Sequence, residues 1–436
     1  MDRPPLFAVA GRPVFHSLSP RLFRRGFAAA GQAGSYVRLA ARRAEEALAF
    51  FRELGLRGMS VTAPFKTEMR ALVDGVDEAA AAIGAVNAVV ADGRRAVGRN
   101  TDHLGVVGAL SAYGVHVVRR SFVVAGAGGA GRAAAYGLTN AGARVTVVNR
   151  TAERAARAAA DFGCRWAELG ELRSLLAAAD GLVSAIGGPD NPIEAAWLRP
   201  GQAVLDAVYP GSRLARAAGE RGCRVVPGEA WLLHQALPAF RFFTGLEPPA
   251  EEMAAALNEE PSPGRKTANV SLVGFMGSGK SEIAAPLAAL LGFRAVDLDR
   301  AVERAEGLPV PEIFRSQGEA RFREAERTEL ERIELQQGSV VACGGGAVLD
   351  PDNRELLARN STVVWLHASL ATCLKRIEDG TRPLLQGGDA AGAAGRLMEE
   401  RLPYYAQVSD LVVRSEEAAE AVARLIHEEI GPSFAR

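Results

Sequence analysis

The stretch Val270-Ser-Leu-Val-Gly-Phe-Met-Gly-Ser-Gly-Lys-Ser281 decides the fold of the C-terminal part of this chain. Residues 270–273 are apolar or β-prone and predict a short buried strand, and Gly274 to Ser281 then fits the pattern G-x-x-x-x-G-K-[ST]. An Ala- and Leu-rich pattern over 283–291 predicts the helix that follows. The N–H groups of such a loop, together with the helix dipole, point at phosphate oxygens. The stretch therefore predicts a nucleoside triphosphate site.

The residues of this loop have separate roles at such a site. Lys280 can reach the β- and γ-phosphates, and the hydroxyl of Ser281 can ligate Mg²⁺. The glycines are required because a Cβ would block the approach of phosphate or strain a backbone with positive φ. A glycine-rich turn without a ligand is the alternative, and the full match between a strand and a helix argues against it. The residues assigned to ATP here are Gly277, Ser278, Gly279, Lys280 and Ser281.

Length and composition describe a globular protein with more than one domain. At 436 residues the chain exceeds the size of one ordinary core, and about two or three domains are expected. Hydrophobic residues make up 48% and charged residues 23%, as in globular enzymes. Lys plus Arg and Asp plus Glu both number 51, so no net field attracts nucleic acid or an acidic membrane. The four cysteines have no C-x-x-C spacing, which indicates neither a zinc site nor disulfides.

The signals for export or membrane insertion are missing from the sequence. The start Met1-Asp-Arg-Pro-Pro5 has no basic segment followed by an apolar one, so no signal peptide is expected. No run approaches the roughly 20 uncharged apolar residues that span a membrane. A cytoplasmic protein without membrane or nucleic-acid partners is therefore expected, and the sequence leaves its oligomeric state open.

Two serines follow the first predicted strand. Residues 6–10 read as a strand, and Ser17 and Ser19 lie in the loop before a helix that Pro20 is placed to start. Their hydroxyls suit a hydroxylated or carboxylated ligand. A pair of N-cap serines would leave the same pattern and is the alternative.

Four further polar side chains come next along the chain. Thr62 and Lys66 lie just beyond an extended segment, 59–62, at the kind of strand end where α/β proteins bind ligands. Lys66 is either a solvated loop charge, a proton-transfer group or a carboxylate partner, since a partly buried lysine changes its pKa readily. Asn87 and Asp102 are each typical turn residues. Together the four supply the hydroxyl, ammonium, amide and carboxylate needed to recognise a polyhydroxy acid.

A second nucleotide site is predicted in the middle of the chain. Residues 121–125 read as a strand, Gly126-Ala-Gly-Gly-Ala-Gly131 fits G-x-G-x-x-G, and a helix and a strand over 144–148 follow. The motif is weak alone and strong inside such a β-α-β unit. NAD enzymes place a carboxylate after that second strand, whereas Arg150 here can pair with a 2′-phosphate, so NADP is favoured over NAD. A surface arginine beginning a helix is the alternative. The residues assigned to the cofactor are Gly126, Ala127, Gly128, Gly129, Ala130, Asn149, Arg150 and Thr151.

The first part of the chain, about 1–257, resembles shikimate dehydrogenase. The motifs that carry the resemblance, in the family's order, are His16-Ser-Leu-Ser-Pro20, Val61-Thr-Ala-Pro-Phe-Lys66, Ala85-Val-Asn87, Asn100-Thr-Asp102, Gly126-Ala-Gly-Gly-Ala130 and Asn149-Arg-Thr151. The resemblance implies reduction of 3-dehydroshikimate to shikimate with NADPH, in which Lys66 and Asp102 handle the proton while hydride reaches the C3 ketone. It also implies that Ala207 and Gly228 line the nicotinamide end. The residues it assigns to shikimate are Ser17, Ser19, Thr62, Lys66, Asn87, Asp102, Tyr209 and Gln235.

Three positions depart from that family's pattern. The family commonly shows His-Asn where this chain has Phe23-Arg24, Asn where it has Ser60, and Ala where it has Gly131. The first two departures lie beside the implied substrate site. They leave room for another substrate preference, such as quinate.

The chain beyond residue 258 carries further candidates. Residues 293–298 read as a strand that holds Asp297 and Asp299 on one face, one carboxylate for Mg²⁺ and one for a substrate hydroxyl proton. Arg323 and Glu326 are i, i+3 neighbours on a helix, and a surface salt bridge is the bland interpretation. Three glycines, 344–346, end a strand and can admit a ligand to the backbone. Arg382 lies on a Gly- and Ala-rich stretch typical of a lid over phosphates.

This second part, about 270–432, resembles shikimate kinase. The matching segments are the phosphate loop, Asp297-Leu-Asp299, Phe322-Arg323, Gly344-Gly-Gly346, Arg382-Pro-Leu-Leu385 and Arg401-Leu-Pro-Tyr-Tyr405. The resemblance implies that Lys280 and Arg382 stabilise the transferred phosphoryl group and that Ser281 and Asp297 place Mg²⁺. Its implied catalytic residues are Lys280 and Asp299. The residues it assigns to shikimate are Asp299, Arg323, Gly344, Gly345, Gly346 and Arg401, the arginines taking the carboxylate.

The two resemblances together predict an α/β protein in several parts. We expect a substrate lobe over 1–103, completed by helices within about 235–257, a Rossmann NADP-binding domain over 104–234, a linker over 258–269, and over 270–436 a P-loop kinase domain related to the nucleoside monophosphate kinases. The implied protein is a bifunctional enzyme whose first product is its second substrate.

Two alternatives remain open. One is a quinate-type dehydrogenase joined to the kinase. The other is a ligand-sensing regulator without catalysis, disfavoured because the sequence shows no DNA-binding helix-turn-helix. It is also disfavoured because the reactive side chains are all present: Lys66, Asp102, Lys280, Ser281 and Asp299.

Overall fold

The computed structural model describes residues 3–187, 191–259, 269–377 and 389–434. These residues form an α/β protein, which confirms the predicted fold class. Within those ranges, no helix combines the length and the apolar character needed to cross a membrane. By contact, the chain divides into two compact units. The first unit takes its residues from 1–20, 33–50 and 259–436, and the second unit from 21–32 and 51–258.

The strands of the described ranges are β1 (Leu6–Gly11), β2 (Ser35–Ala40), β3 (Gly58–Val61), β4 (Gly75–Val76), β5 (Ala88–Asp92), β6 (Arg95–Arg99), β7 (Ser121–Ala125), β8 (Arg144–Val148), β9 (Arg165–Ala167), β10 (Gly181–Ser184), β11 (Ala203–Asp206), β12 (Arg224–Val226), β13 (Asn269–Val273), β14 (Arg294–Asp297), β15 (Ser339–Ala342), β16 (Ser361–His367) and β17 (Leu411–Arg414).

The α-helices of the same ranges are α1 (Ser19–Ala29), α2 (Ala44–Glu53), α3 (Lys66–Leu72), α4 (Glu78–Ile83), α5 (Asp102–Ala112), α6 (Gly129–Asn140), α7 (Ala152–Phe162), α8 (Leu172–Ala178), α9 (Arg213–Glu220), α10 (Gly228–Thr244), α11 (Ala250–Asn258), α12 (Lys280–Leu291), α13 (Leu298–Glu306), α14 (Val310–Glu334), α15 (Pro351–Asn360), α16 (Leu370–Arg376), α17 (Ala390–Val408) and α18 (Ala419–Ile430).

The first unit is built on a parallel sheet with the strand order β14-β15-β13-β16-β17-β2-β1. Strand β13 lies between β15 and β16 and is buried along its whole length. A continuous run of buried residues is typical of a parallel strand covered on both faces. The phosphate loop starts at the carboxyl end of β13, which is where open α/β sheets bind ligands.

Strand β2 extends this sheet by pairing with β17. Val412 pairs in parallel with Leu39, and Val413 with Ala40. An edge strand leaves a row of backbone N–H and C=O groups without partners, and the pairing satisfies some of those groups on both strands. Two segments far apart in the sequence therefore share one sheet. The four predicted domain boundaries stay predictions, and most of the predicted linker lies outside the described residues.

The second unit contains a six-stranded parallel sheet in the order β12-β11-β10-β7-β8-β9. Numbered from β7, this is the doubly wound order 3-2-1-4-5-6 of dinucleotide-binding folds. The order reverses between β7 and β10, so a ligand is expected at the carboxyl ends of these two strands. The antiparallel strands β3, β5 and β6, with β4 parallel to β6, complete the sheet structure of this unit.

One predicted element differs in the structure. The strand expected over 293–298 ends at Asp297, and Asp299 lies in the first turn of α13. The reason is a cap, because the Asp297 carboxylate accepts a hydrogen bond of 3.1 Å from the backbone N–H of Arg300 and so starts the helix. The two carboxylates therefore do not share the face of one strand, as the spacing had suggested.

Candidate functional sites

Lys66 and Asp102 form a partly buried ion pair in the second unit. Lys66 is the first residue of α3 and Asp102 the first of α5, so each projects from the start of a helix. Lys66 Nζ lies 2.6 Å from Asp102 Oδ2, with side-chain exposures of 17% and 6%. A charge pair withdrawn from water interacts more strongly than one at the surface. The pair can hold a proton donor in a fixed position beside a substrate.

Asn87 and Gln235 extend this pair into a polar network. Asn87 Nδ2 lies 3.0 Å from Asp102 Oδ1, 2.9 Å from Thr101 Oγ1 and 3.0 Å from Gln235 Oε1. Helix α10 supplies Gln235, and Trp231 on the same helix donates from Nε1 to the Asp102 carbonyl at 2.9 Å. The structure thus assembles four of the predicted substrate residues in one place: Lys66, Asn87, Asp102 and Gln235.

Close packing of α5 against α10 makes this network possible. A Cβ added to Gly105 on α5 would lie 2.7 Å from the Cβ of Gln235 and 2.8 Å from the Trp231 ring. Glycine at this position lets α10 approach the start of α5. The one-turn spacing of Trp231 and Gln235 was visible in the sequence, but their partner helix was not.

Four other residues in the first part of the chain are predicted to bind shikimate. Thr62 directly follows β3 and Tyr209 lies three residues beyond β11, and both are half-buried. Ser17 and Ser19 belong to the first unit, where both are 3% exposed and their Oγ atoms lie 3.3 Å apart. The backbone N–H of Ser19 donates a hydrogen bond to Ser17 Oγ, at 3.3 Å.

The glycine-rich loop after β7 is shaped to receive a phosphate. Gly126 has φ +110°, and a Cβ there would lie 3.1 Å from the Ala185 carbonyl oxygen. Gly128 precedes α6 without a side-chain cap, which leaves the helix N–H groups available to an anion. A Cβ on Gly129 would lie 3.0 Å from the Cβ of Lys66, so the loop runs directly beside the ion pair.

The end of β8 carries the predicted ribose residues. Asn149 Oδ1 accepts from the Ala127 N–H at 3.1 Å, and Asn149 Nδ2 donates to the Thr151 carbonyl at 3.0 Å. Asn149 therefore ties this strand end to the glycine-rich loop, whose Ala130 lies in the first turn of α6. Arg150 is exposed beside it, and no carboxylate occurs between positions 149 and 151. These groups fit a ribose that carries a 2′-phosphate.

The residues predicted for the nicotinamide end also lie together. A Cβ on Gly228, at the start of α10, would lie 2.7 Å from the Asp206 carbonyl oxygen and 3.3 Å from the Ala207 carbonyl carbon. Asp206 is buried, and burial raises the pKa of its carboxyl, while the Ser212 hydroxyl opposes this shift. The carboxyl end of β11 and the start of α10 are therefore in close contact at the residues predicted to line the nicotinamide end.

In the first unit, the phosphate loop borders a cavity of about 380 Å³. Gly277 has φ +76° and Gly279 +86°, and a Cβ on Gly277 would lie 2.6 Å from the Cys373 carbonyl oxygen. Lys280 Nζ donates to the carbonyls of Gly274 and Phe275, both at 2.9 Å. The cavity is lined by Met276, Gly277, Gly279, Lys280, Ser281, Glu282, Asp297, Asp299, Ala342, Cys343, Gly344, Gly345, Arg376 and Ile377.

One corner of this cavity contains oxygen ligands of the kind that Mg²⁺ prefers. Ser281 Oγ donates to Asp297 Oδ2 at 2.6 Å, which places a hydroxyl and a carboxylate side by side. Among the described residues, no group of three or more His, Cys, Asp or Glu side chains is arranged to hold a metal. Mg²⁺ is ordinarily bound through one or two carboxylates together with substrate phosphates. The residues present fit that mode.

Beside the cavity lies a buried cluster of charged residues. Arg323 Nη1 lies 2.7 Å from Glu326 Oε2, and Glu326 is fully buried, so the i, i+3 pair is not a surface salt bridge. Burial raises the pKa of Glu326, while Arg323 opposes the shift. Arg401 on α17 is 2% exposed. Among the described residues, Glu326 Oε1 and Arg401 Nε have no hydrogen-bond partner, so both atoms are available to a ligand.

The three glycines after β15 give this cluster its room. A Cβ on Gly346 would lie 2.5 Å from Arg323 Nη2, and one on Gly344 would lie 3.0 Å from Asp299 Oδ1. The carbonyl of Gly345 accepts from the Tyr405 hydroxyl at 2.6 Å. The structure thus brings together the predicted residues Asp299, Arg323, Gly344, Gly345, Gly346 and Arg401.

Two residues of this part need separate mention. Arg382, predicted to close over phosphates, lies outside the described residues. Arg376 was not singled out from the sequence, yet it lines the cavity and donates from Nη1 to the carbonyl of Ser415 at 2.9 Å. The available signal was a basic residue in the last turn of a helix just before the Gly-rich stretch.

Four family models match the chain in succession. The substrate binding domain of shikimate dehydrogenase matches residues 9–89, shikimate / quinate 5-dehydrogenase matches 110–205, and the shikimate 5'-dehydrogenase C-terminal domain matches 232–257. The shikimate kinase model matches 276–431. The matches follow one another in the order of the two sites.

Individual relatives agree with the first three models. A shikimate dehydrogenase (NADP(+)) of Halorubrum lacusprofundi is 41% identical over 273 residues, covering 58% of this chain and 98% of that protein. The shikimate 5-dehydrogenase of Thermus thermophilus, solved with NADP(H) and shikimate, has a TM-score of 0.53 and 38% identity, covering 58% and 98% of the two chains. The quinate dehydrogenase of Corynebacterium glutamicum, solved with NAD, has a TM-score of 0.54 and 30% identity, covering 59% and 99%.

Proposed function

Because the chain belongs to the shikimate dehydrogenase family and carries a C-terminal shikimate kinase domain, we propose that it catalyses two consecutive reactions. The first reduces 3-dehydroshikimate to shikimate with NADPH. The second transfers the γ-phosphoryl group of ATP to the 3-hydroxyl of shikimate. The observation that carries the proposal is the presence of two separate polar sites suited to one small acid, each next to its own phosphate-binding loop.

In the reductase, the Lys66–Asp102 pair supplies the proton. The Lys66 ammonium donates a proton to the carbonyl oxygen of the substrate, and the Asp102 carboxylate, 2.6 Å away, holds the ammonium in place. The network around Asn87 and Gln235 binds substrate hydroxyls and rejects analogues that lack them. Ser17, Ser19, Thr62 and Tyr209 are proposed to complete the substrate contacts.

NADPH, when bound, supplies the hydride that adds to the carbonyl carbon. The protein fits this cofactor because side-chain-free positions, Gly126 and Gly129, open a cradle that a Cβ would fill. The N–H groups at the start of α6 would hold the pyrophosphate. Arg150 would pair with the 2′-phosphate, and Ala207 and Gly228 would border the nicotinamide.

In the kinase, the charged cluster binds the acid and the phosphate loop binds ATP. Arg323 and Arg401 are proposed to hold the carboxylate of shikimate, where Arg401 Nε has no partner within the described chain. Asp299 would accept the proton of the 3-hydroxyl as it attacks the phosphorus. Lys280 would stabilise charge on the transferred group, and Ser281 and Asp297 would hold Mg²⁺, which supplies further charge stabilisation when bound.

A coupled assay tests the whole proposal. Purified protein is given 3-dehydroshikimate, NADPH and ATP with Mg²⁺, and NADPH oxidation, ADP release and shikimate 3-phosphate are measured together. We expect all three, with ADP release dependent on prior NADPH oxidation. Protein that neither oxidised shikimate with NADP⁺ nor consumed ATP in the presence of shikimate would contradict the proposal.

A quinate-type reductase is the second candidate, and the sequence departures at Phe23-Arg24 and Ser60 are its basis. Phe23 is fully buried, with its ring centroid 5.5 Å from that of Phe243 and 6.1 Å from that of Phe240. This departure therefore contributes to an aromatic core. Turnover of shikimate and quinate with each cofactor separates the two candidates.

We place the chemistry in the cytoplasm, where both NADPH and ATP are supplied.

A further inference from the structure

The turn that precedes Ser17 is held by a carboxylate from the far end of the chain. The backbone N–H groups of Val14 and Phe15 both donate to Glu429 Oε2, at 2.8 and 2.9 Å. The N–H of Ser17 closes the turn on the Val14 carbonyl at 3.0 Å. Glu429 lies in the last turn of α18, within the segment that matches shikimate kinase, and it is 4% exposed.

A second anchor holds the carbonyl of the same serine. Arg38 donates to the Ser17 carbonyl from Nη2 at 2.8 Å and from Nε at 3.1 Å. Its remaining nitrogen, Nη1, lies 3.4 Å from the carbonyl of Asp410, just before β17. Arg38 is therefore a bridge between the Ser17 loop and the kinase segment, at the place where β2 pairs with β17.

The Glu429 contact is of a kind that fixes geometry. Charge-assisted hydrogen bonds from two consecutive N–H groups to one buried oxygen are short and directional. A buried carboxylate is unfavourable unless such bonds satisfy it, and the two N–H groups would lose their partner if it were removed. The position of the turn and the buried carboxyl group of Glu429 therefore depend on each other.

We propose that Glu429 is a positioning residue of the reductase, which holds the 14–17 turn so that Ser17 and Ser19 present their hydroxyls to the substrate. A side chain of the kinase segment thereby sets the substrate affinity of the other activity. The inference rests on the proposed roles of Ser17 and Ser19 in binding shikimate. It concerns affinity for the acid and not the chemistry at Lys66.

Three variants of the full-length protein test this inference. Glu429→Ala removes the acceptor, and Glu429→Gln retains an uncharged oxygen that can accept the same bonds. Glu428→Gln is the matched control, because Glu428 is next to Glu429 in the sequence but its carboxylate is exposed and pairs with Arg12 at the surface, at 2.8 Å. For each, the KM for shikimate and for NADP⁺, the kcat of shikimate oxidation and the kinase rate are measured on one preparation.

We expect Glu429→Ala to raise the reductase KM for shikimate about tenfold, with the KM for NADP⁺ and the kinase rate near the parental values. Glu429→Gln should recover part of the affinity, and Glu428→Gln should behave as the parent. Parental KM values for shikimate in both Glu429 variants would overturn the inference. Equal rises in both KM values together with a fall in the kinase rate would also overturn it, since they would indicate a purely structural role.

Ser17→Ala distinguishes failure of the inference from failure of the proposed site. If Ser17→Ala leaves the KM for shikimate unchanged, the assigned role of Ser17 is wrong and the inference falls with it. If Ser17→Ala raises this KM while both Glu429 variants do not, the site stands and only the role of Glu429 is wrong.

Discussion

Lys66 Nζ and Asp102 Oδ2 lie 2.6 Å apart, although the two residues open different helices and are separated by 35 positions, 67–101, in the chain. Both side chains are largely withdrawn from solvent, and the glycine-rich loop runs beside them at Gly129. An ammonium group, its carboxylate partner and the glycine-rich loop are therefore assembled at one point. The kinase cavity uses none of these groups, which separates the two activities at the level of single residues.

Lys66→Ala should remove one activity and spare the other. Loss of the proposed proton-transfer group should lower the kcat of shikimate oxidation about 10³-fold, the usual scale of general acid–base catalysis. ATP turnover with shikimate should stay within about twofold of the parent, because Lys66 does not border the kinase cavity. Loss of both activities in a folded variant would show that the sites are not independent.

Lys280→Ala should have the opposite effect. Removing the ammonium that we propose stabilises the transferred phosphoryl group should lower the kinase kcat by about 10²- to 10³-fold. NADP⁺-dependent oxidation of shikimate provides the internal control, and we expect it unchanged. A kinase that kept its parental kcat would refute the assignment of Lys280.

Arg150→Ala tests the cofactor preference. Arg150 is exposed and follows β8 without a neighbouring carboxylate, so its loss should raise the KM for NADP⁺ about tenfold, as for one charge-assisted contact with a phosphate. The KM for NAD⁺, which lacks the 2′-phosphate, should not change. Steady-state kinetics with both cofactors decide the matter, and a parallel rise in the two KM values would speak against a 2′-phosphate contact.

Gly346→Ala should weaken shikimate binding by the kinase alone. The new Cβ would lie 2.5 Å from Arg323 Nη2, so the guanidinium must move away from its pairing position. We expect the kinase KM for shikimate to rise about tenfold, with the KM for ATP little changed. Arg323→Ala is the reference variant, and a Gly346→Ala enzyme with normal affinity for shikimate would exclude this role for the glycine.

Glu334 should make stability depend on pH. Burial raises the pKa of its carboxyl, although the hydroxyls of Ser271 and Ser361 and the amide of Asn269 hold it partly down. Because the folded pKa lies above the unfolded one, the stabilisation is complete below the unfolded value of about 4.5 and is lost as pH rises through the folded value. Glu334→Gln removes this loss, so the unfolding temperature of the variant minus that of the parent should increase from pH 5 to pH 8. A difference independent of pH would contradict the prediction.

Much of the fold could be predicted because its signals are local. The segment 270–281 contains the signals of a strand, a glycine-rich loop and a helix start within one short stretch, and the structure confirms the strand and the helix. The same holds for the β-α-β unit around Gly126. The strand predicted over 293–298 was wrong at its end, because Asp297 accepts the bond from Arg300 and acts as an N-cap residue, a role that aspartate favours and that the strand interpretation did not consider.

The sequence by itself determined which chemical groups are present and which loops bind phosphate, because those properties depend on residue type and near neighbours. Only the tertiary structure decided which groups meet: Trp231 and Asp102, Gln235 and Asn87, the buried Glu326 and Arg323, and Glu429 and the turn at Val14. Most of these contacts join residues that are far apart in the chain. The Arg323–Glu326 pair is local, but its depth of burial is set by the surrounding structure. They depend on helix packing and strand pairing across the whole chain, and residue type alone does not encode them.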